Sequence, residues 1–177
     1  MTAYFDFKSS QEFCDVIENI AAHTGNDFMT ANKIPPHLTL LQFHSKTDAK
    51  KIISAFENAI ASDCKIDVSF KGYKTEIPHV VYVPAENDRL MKLNKMLSDS
   101  FSLLGETVIS SHYSPENFYP HVSLAKRLDD VQRKKTIEFM KDKTIPSSGK
   151  ITKIVLTEGR PPKKLREIIL SLCQSRQ

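Results

Sequence analysis

The sequence predicts an α+β fold made of two similar lobes, each an antiparallel sheet with helices, arranged about a pseudo-two-fold axis around a central cleft. Three observations carry that expectation. The segment IPPHLTLLQF at 34–43 recurs as FYPHVSLAKR at 118–127. The register then persists, with Pro36/Pro120, His37/His121, Leu40/Leu124, Lys50/Lys134, Lys51/Lys135 and Ile53/Ile137 identical, and Ile34/Phe118, Leu38/Val122, Thr39/Ser123 and Phe56/Met140 alike, as expected of an internal repeat. Short extended runs also alternate with segments whose apolar residues recur at three and four, so strands and helices are mixed throughout. The repeat divides a single domain, 1–177, into a first half of about residues 1–77 and a second of about 78–177, with strands free to exchange between them.

Each element has a local reason. Tyr4 to Phe7 reads as a short strand. Ser9 and Glu12 have capping-box spacing ahead of the stripe Phe13, Val16, Ile17 and Ile20, which predicts a helix. Pro36 to Phe43 is the first histidine strand; Thr47 then caps a helix with an inner face of Ile52, Ile53, Phe56 and Ile60, and Lys65 to Lys74 alternates as a strand. The second half opens with the extended run His79 to Val83. A helix follows from about Asn87, with Leu90, Leu93, Leu97, Phe101 and Leu104 on one side and Gly105 as its stop. A polar segment through Ser110, Ser111, His112, Ser114 and Pro115 leads to the second histidine strand, and Asp129 to Lys143 is helical. Ile151 to Leu156 and Arg166 to Leu172 close the chain as strands joined by the basic loop Gly159 to Lys164.

Composition excludes several classes. Of 177 residues, 40% are hydrophobic and 26% charged, too apolar for disorder. No apolar stretch approaches the roughly 20 residues that cross a bilayer, and the first residues have neither the basic nor the apolar region of a secretion signal. Cys14, Cys64 and Cys173 are widely spaced and form no zinc motif, which suits a reducing compartment; a cytoplasmic monomer is expected. The net charge of +4 is compatible with a polyanionic ligand without requiring one.

The two histidine strands carry the chemistry. Residues i and i+2 of a strand share a face, so His37 stands beside Thr39, and His121 beside Ser123. Brought together, they offer two imidazoles and two hydroxyls, which is what opening a phosphodiester requires. A neutral histidine can take a proton from the nucleophile while a protonated one donates to the departing alkoxide, and an ordinary pKa near about 6.5 permits both forms. The hydroxyls can hold the nonbridging oxygens. No metal or cofactor is called for.

HLTL at 37–40 and HVSL at 121–124 resemble the paired His-x-Thr/Ser motifs of the two-histidine phosphoesterase superfamily, which includes RNA 2′,3′-cyclic phosphodiesterases also described as 2′-5′ RNA ligases. That resemblance covers nearly the whole chain. It implies a bilobal fold with a cleft, metal-independent hydrolysis of 2′,3′-cyclic phosphates on RNA ends or nucleotides, and His37, Thr39, His121 and Ser123 as the catalytic tetrad. It also implies Lys126 as a phosphate contact, at a place where the first motif carries Gln42. End joining to a 2′-5′ linkage and non-catalytic binding of a nucleotide are the alternatives at the same site.

Phe118 and Tyr119, just before the second motif, are candidates to stack a base, although alternation allows only one of them to face a cleft. Lys71, Lys74, Arg160, Lys163 and Lys164 are further candidates for a positive rim. His112, Tyr113 and Asn117 border the second motif, and His23, His44, His79 and His112 lack ligand spacing and are expected at the surface.

Overall fold

The computed structural model describes residues 1–61, 64–159 and 161–172. Cys173 and Arg160 lie outside the described residues. β1 (Thr2–Phe5) leads into α1 (Phe7–Thr24), a short α2 (Phe28–Ala31), β2 (His37–Thr39), β3 (Phe43–Ser45), α3 (Ala49–Ile60) and β4 (Ile66–Phe70). The second half supplies β5 (Val80–Glu86), α4 (Asp88–Ser102), β6 (Thr107–Ile109), a 3₁₀ turn over Ser111–Tyr113, β7 (His121–Lys126), α5 (Asp130–Met140), β8 (Ser148–Glu158) and β9 (Lys163–Ile169).

Carboxylates and one amide, not hydroxyls, start the long helices. Asp6 accepts from the Ser9 amide at 2.9 Å to cap α1, so the Ser9/Glu12 pair lies inside the helix. At α3 the cap is Asp48, accepting from Lys50 N at 2.8 Å, whereas Thr47 donates its hydroxyl to Leu104 O at 2.7 Å. Both corrections have one cause: an ionised carboxylate satisfies the free N–H groups and faces the positive end of the helix dipole. Asn87 caps α4, and Asp129 forms a full capping box with Gln132 on α5. The strand expected from Pro36 to Phe43 breaks after Thr39. Leu40 and Leu41 are both fully buried and both donate to Met1 O, which strand alternation does not allow, and the chain resumes as β3 in a separate two-stranded sheet with β6. Lys163 and Lys164 open β9 instead of lying in the preceding loop, whose turn is made at Gly159 with φ 72°.

The large sheet runs β1-β2-β7-β5-β4-β8-β9, and β1 pairs with β8 as well, so the order returns to its start and leaves β9 outside the circuit. All these pairs are antiparallel. The sequence halves do not make separate sheets: β4 of the first lies between β5 and β8 of the second. Closure of this kind leaves few unpaired strand edges. Across the strands, Ala3, Leu38, Val122 and Val83 form one fully buried row. α1 packs beside α5, and α3 beside α4. Among the described residues, no helix is long and apolar enough to cross a membrane.

Asn94 of α4 ties the site's two approaches together. Fully buried, its amide donates to Leu40 O at 2.8 Å, just past β2, and to Tyr113 O at 2.9 Å, ahead of β7. Removing a partner from a buried carbonyl costs about 1–3 kcal/mol. Asn94→Ala is therefore expected to lower unfolding free energy by a few kcal/mol, and Asn94→Asp, which turns acceptors toward acceptors, by more; urea denaturation ranks the two variants.

Candidate active site

β2 and β7 are neighbours with Leu38 opposite Val122. In an antiparallel pair this sets His37 across from Ser123 and Thr39 across from His121. Because alternate residues share a face, all four side chains stand together on the side away from the buried Leu38 and Val122. The histidines lie diagonally, each facing a hydroxyl residue on the other strand. Ser123 is buried, and the other three are half-exposed.

Each imidazole is held the same way. His37 Nδ1 is 2.7 Å from Pro35 O, and His121 Nδ1 is 2.9 Å from Tyr119 O. A carbonyl can only accept, so Nδ1 carries the hydrogen in both rings and donates it. A neutral ring consequently presents bare Nε2 as a base, and a protonated ring presents Nε2–H as an acid. Burial pushes both histidines below the ordinary histidine value. The carbonyl bonds oppose that shift, while Lys126 reinforces it at both rings and His121 adds to it at His37.

Lys126 reaches this face because of a backbone irregularity. It stands five positions after His121, so a regular strand would send the two to opposite sides. Instead, β5 pairs Val81 with Ala125 but Tyr82 with Ser123, leaving β7 one residue extra. That bulge returns Lys126, opposite Val80, to the side of Ser123. Burial lowers its pKa, and no carboxylate among the described residues forms an ion pair with it. Gln42, its counterpart by sequence, lies exposed beyond the end of β2.

The other sequence candidates separate. Phe118 belongs to the core at 6% exposure, and Tyr119 turns outward at 47%. Lys71, Lys74, Lys163 and Lys164 are each paired with a carboxylate, Glu86, Glu76, Glu158 and Glu167 respectively, so they make no free positive rim. His23, His44, His79 and His112 are exposed, as expected. Asn117 donates to Ser111 O at 3.1 Å and shapes the loop before β7. Among the described residues, no three His, Cys, Asp or Glu side chains gather as a metal set.

Sequence reasoning missed two tyrosines. Tyr82 packs its ring edge-on against His121, 5.0 Å between centroids, and its hydroxyl donates to Glu76 at 2.9 Å. Burial, then the Glu76 bond, pushes its pKa up to about 12, so it remains a donor. Tyr4 lies directly opposite His37 with ring centroids 6.1 Å apart. Both occur in short apolar strands that read as core; only cross-strand register reveals their side. A tyrosine inside the run His79 to Val83 was the available hint.

A family model for the 2′-5′ RNA ligase superfamily matches residues 9–160. The chain belongs to that superfamily. Its members are two-histidine phosphoesterases, which supports a phosphoesterase-type activity for this chain. Among solved structures, the fold is similar to a crystal structure of a phosphoesterase at 19% identity and a TM-score of 0.61, covering 96% of each chain. Curated proteins give no sequence match.

The depressed histidines set a pH expectation for this superfamily member. Work that needs one ring neutral and one protonated peaks between their two pKa values, and both lie below the ordinary value of about 6.5. The optimum of kcat/KM, which reports the free protein, is expected on the acid side of about 6.5. A bound phosphate anion favours the imidazolium, so the kcat optimum should lie at higher pH. Paired pH–rate profiles on a cyclic nucleotide check both the position and the order.

Proposed function

We propose that this chain hydrolyses 2′,3′-cyclic phosphates, on RNA ends or nucleotides, without a metal ion. The observation that carries the reading is the Leu38–Val122 register, which gathers both His-x-Thr/Ser pairs on one face. Phosphate is held by the Thr39 and Ser123 hydroxyls, with Lys126 as the cation beside them. One histidine, neutral, takes a proton from water as the oxygen attacks phosphorus; the other, protonated, gives its Nε2 proton to the departing ribose oxygen. The P–O bond to water forms as a ring P–O bond breaks, leaving a monophosphate. The proton left on the base restores the starting state by exchange with solvent.

His37→Ala and His121→Ala should each reduce turnover by about 10²- to 10⁴-fold, the usual worth of a positioned acid or base. Thr39→Ala and Ser123→Ala should retain more activity than the histidine variants. The assay uses chelator-treated protein with a 2′,3′-cyclic nucleotide and with a short RNA bearing that end, separating 2′- from 3′-phosphate products. Full turnover in either histidine variant overturns the reading. A longer product on adding a 5′-hydroxyl RNA assigns end joining, and stoichiometric binding without cleavage assigns a binding module.

A further inference from the structure

Beside His37 lies a second group of side chains that the proposed chemistry leaves unused. Successive strand partners place Ile169, Lys153, Tyr4 and His37 in one row across β9, β8, β1 and β2. Partners opposite one another share a face, so Tyr4 and Lys153 continue the surface that carries the tetrad. Tyr4 is half-buried one strand from His37, and Lys153 is one strand further, with neighbouring strands about 4.8 Å apart. That span matches the reach from a phosphate held at the histidines, through its ribose, to its base.

These groups suit a base in particular. Lys153 Nζ sits 5.4 Å from the Tyr4 ring centroid, a loose cation–π contact that a stacked ring can replace. Glu167, from β9, has a carboxylate oxygen 3.5 Å from that ammonium and 3.6 Å from Lys164 Nζ, and its charge acts on the Tyr4 hydroxyl. Partly exposed ion pairs of this kind contribute little to stability, so they can be reorganised by a ligand at small cost. A ring platform with a carboxylate nearby, and an ammonium that a stacked ring displaces from over the face to its own edge, complements a base carrying one carbonyl oxygen next to two N–H donors. Guanine has that edge. Adenine presents an unprotonated ring nitrogen where guanine has N–H, which turns a lone pair toward the carboxylate.

We propose that Tyr4, Lys153 and Glu167 form a nucleobase subsite selective for guanine: the ring stacks on Tyr4, its carbonyl oxygen accepts from Lys153, and its N–H groups donate to Glu167. The proposal rests on the phosphoester reading of His37 and His121, and it names the substrate's base.

The test measures kcat/KM for the 2′,3′-cyclic monophosphates of guanosine, adenosine, cytidine and uridine. It also measures calorimetric binding of guanosine and adenosine 3′-monophosphates, which needs no turnover. Guanosine is expected to exceed adenosine by about tenfold or more, the discrimination of a paired base contact. Glu167→Gln, nearly isosteric, should bring that ratio within about twofold. Tyr4→Leu should lower kcat/KM about tenfold for every base, mainly through KM, as loss of stacking predicts, and Tyr4→Phe should restore it. Turnover with no guanine preference, or a preference that survives Glu167→Gln, overturns the subsite and leaves the phosphoester reading standing. Guanine-selective binding, lost in Glu167→Gln, with no turnover of any cyclic nucleotide does the reverse.

Discussion

The register between β2 and β7 is the constraint on which the rest of this molecule depends. With Leu38 opposite Val122, the His, Thr and Ser side chains face one way and the core row faces the other. Because the side-chain period of a strand is two, a slip of one residue on either strand would turn a histidine into the core and expose a leucine or valine. Burial of Leu38 and Val122 therefore holds the four polar side chains in place, and the stability of the core and the arrangement of the candidate site are one fact. β2 is only three residues long, yet it is held between β1 and β7, with β1 in turn held by β8. Closure of the strand order gives so short a segment a defined position.

The electrostatics follow from the same placement. Two imidazoles and one lysine share a half-buried face with no carboxylate from the described residues paired to the lysine. Burial disfavours the charged form at all three groups, Lys126 adds to that at both rings, and His121 adds to it at His37. Such a site favours an anion, since a bound phosphate supplies the negative charge that the protein withholds. The basic residues elsewhere differ in this respect: Lys71, Lys74, Lys163 and Lys164 are matched to carboxylates. Net charge alone could not distinguish Lys126, which acts on both histidines, from the lysines that are neutralised.

The tetrad was legible in sequence because a repeated proline, histidine, hydroxyl residue and leucine leave a pattern that local propensity does not explain. The stripes of α1, α3 and α4 were equally plain, since a helix that packs on a core must repeat at three and four. Helix starts were less so. Ser9 and Thr47 each stand close to an aspartate, and the choice between competing caps depends on where the preceding strand releases the chain. The break after Thr39 also escaped notice, because HLTLLQF continues to look extended until tertiary contacts bury Leu40 and Leu41 together. Tyr4 and Tyr82 could not be placed beside the histidines at all. Their positions depend on pairing between strands remote in sequence, which no local pattern encodes.

The bulge in β7 explains why the two motifs are unequal despite their similar pattern. Counting from His121, Lys126 should face away, and only the additional residue opposite β5 brings it back. Counting likewise from His37 leads to Gln42, but β2 has ended by then, and Gln42 uses its carbonyl to accept from Ser110 beside the β3–β6 sheet. A cation at Gln42 would thus not stand beside the histidines even if the sequence supplied one. In a repeat of this kind, equivalent positions in the alignment stop being equivalent in space as soon as one strand bulges and the other breaks. The function of each flank has to be read from the register that actually forms.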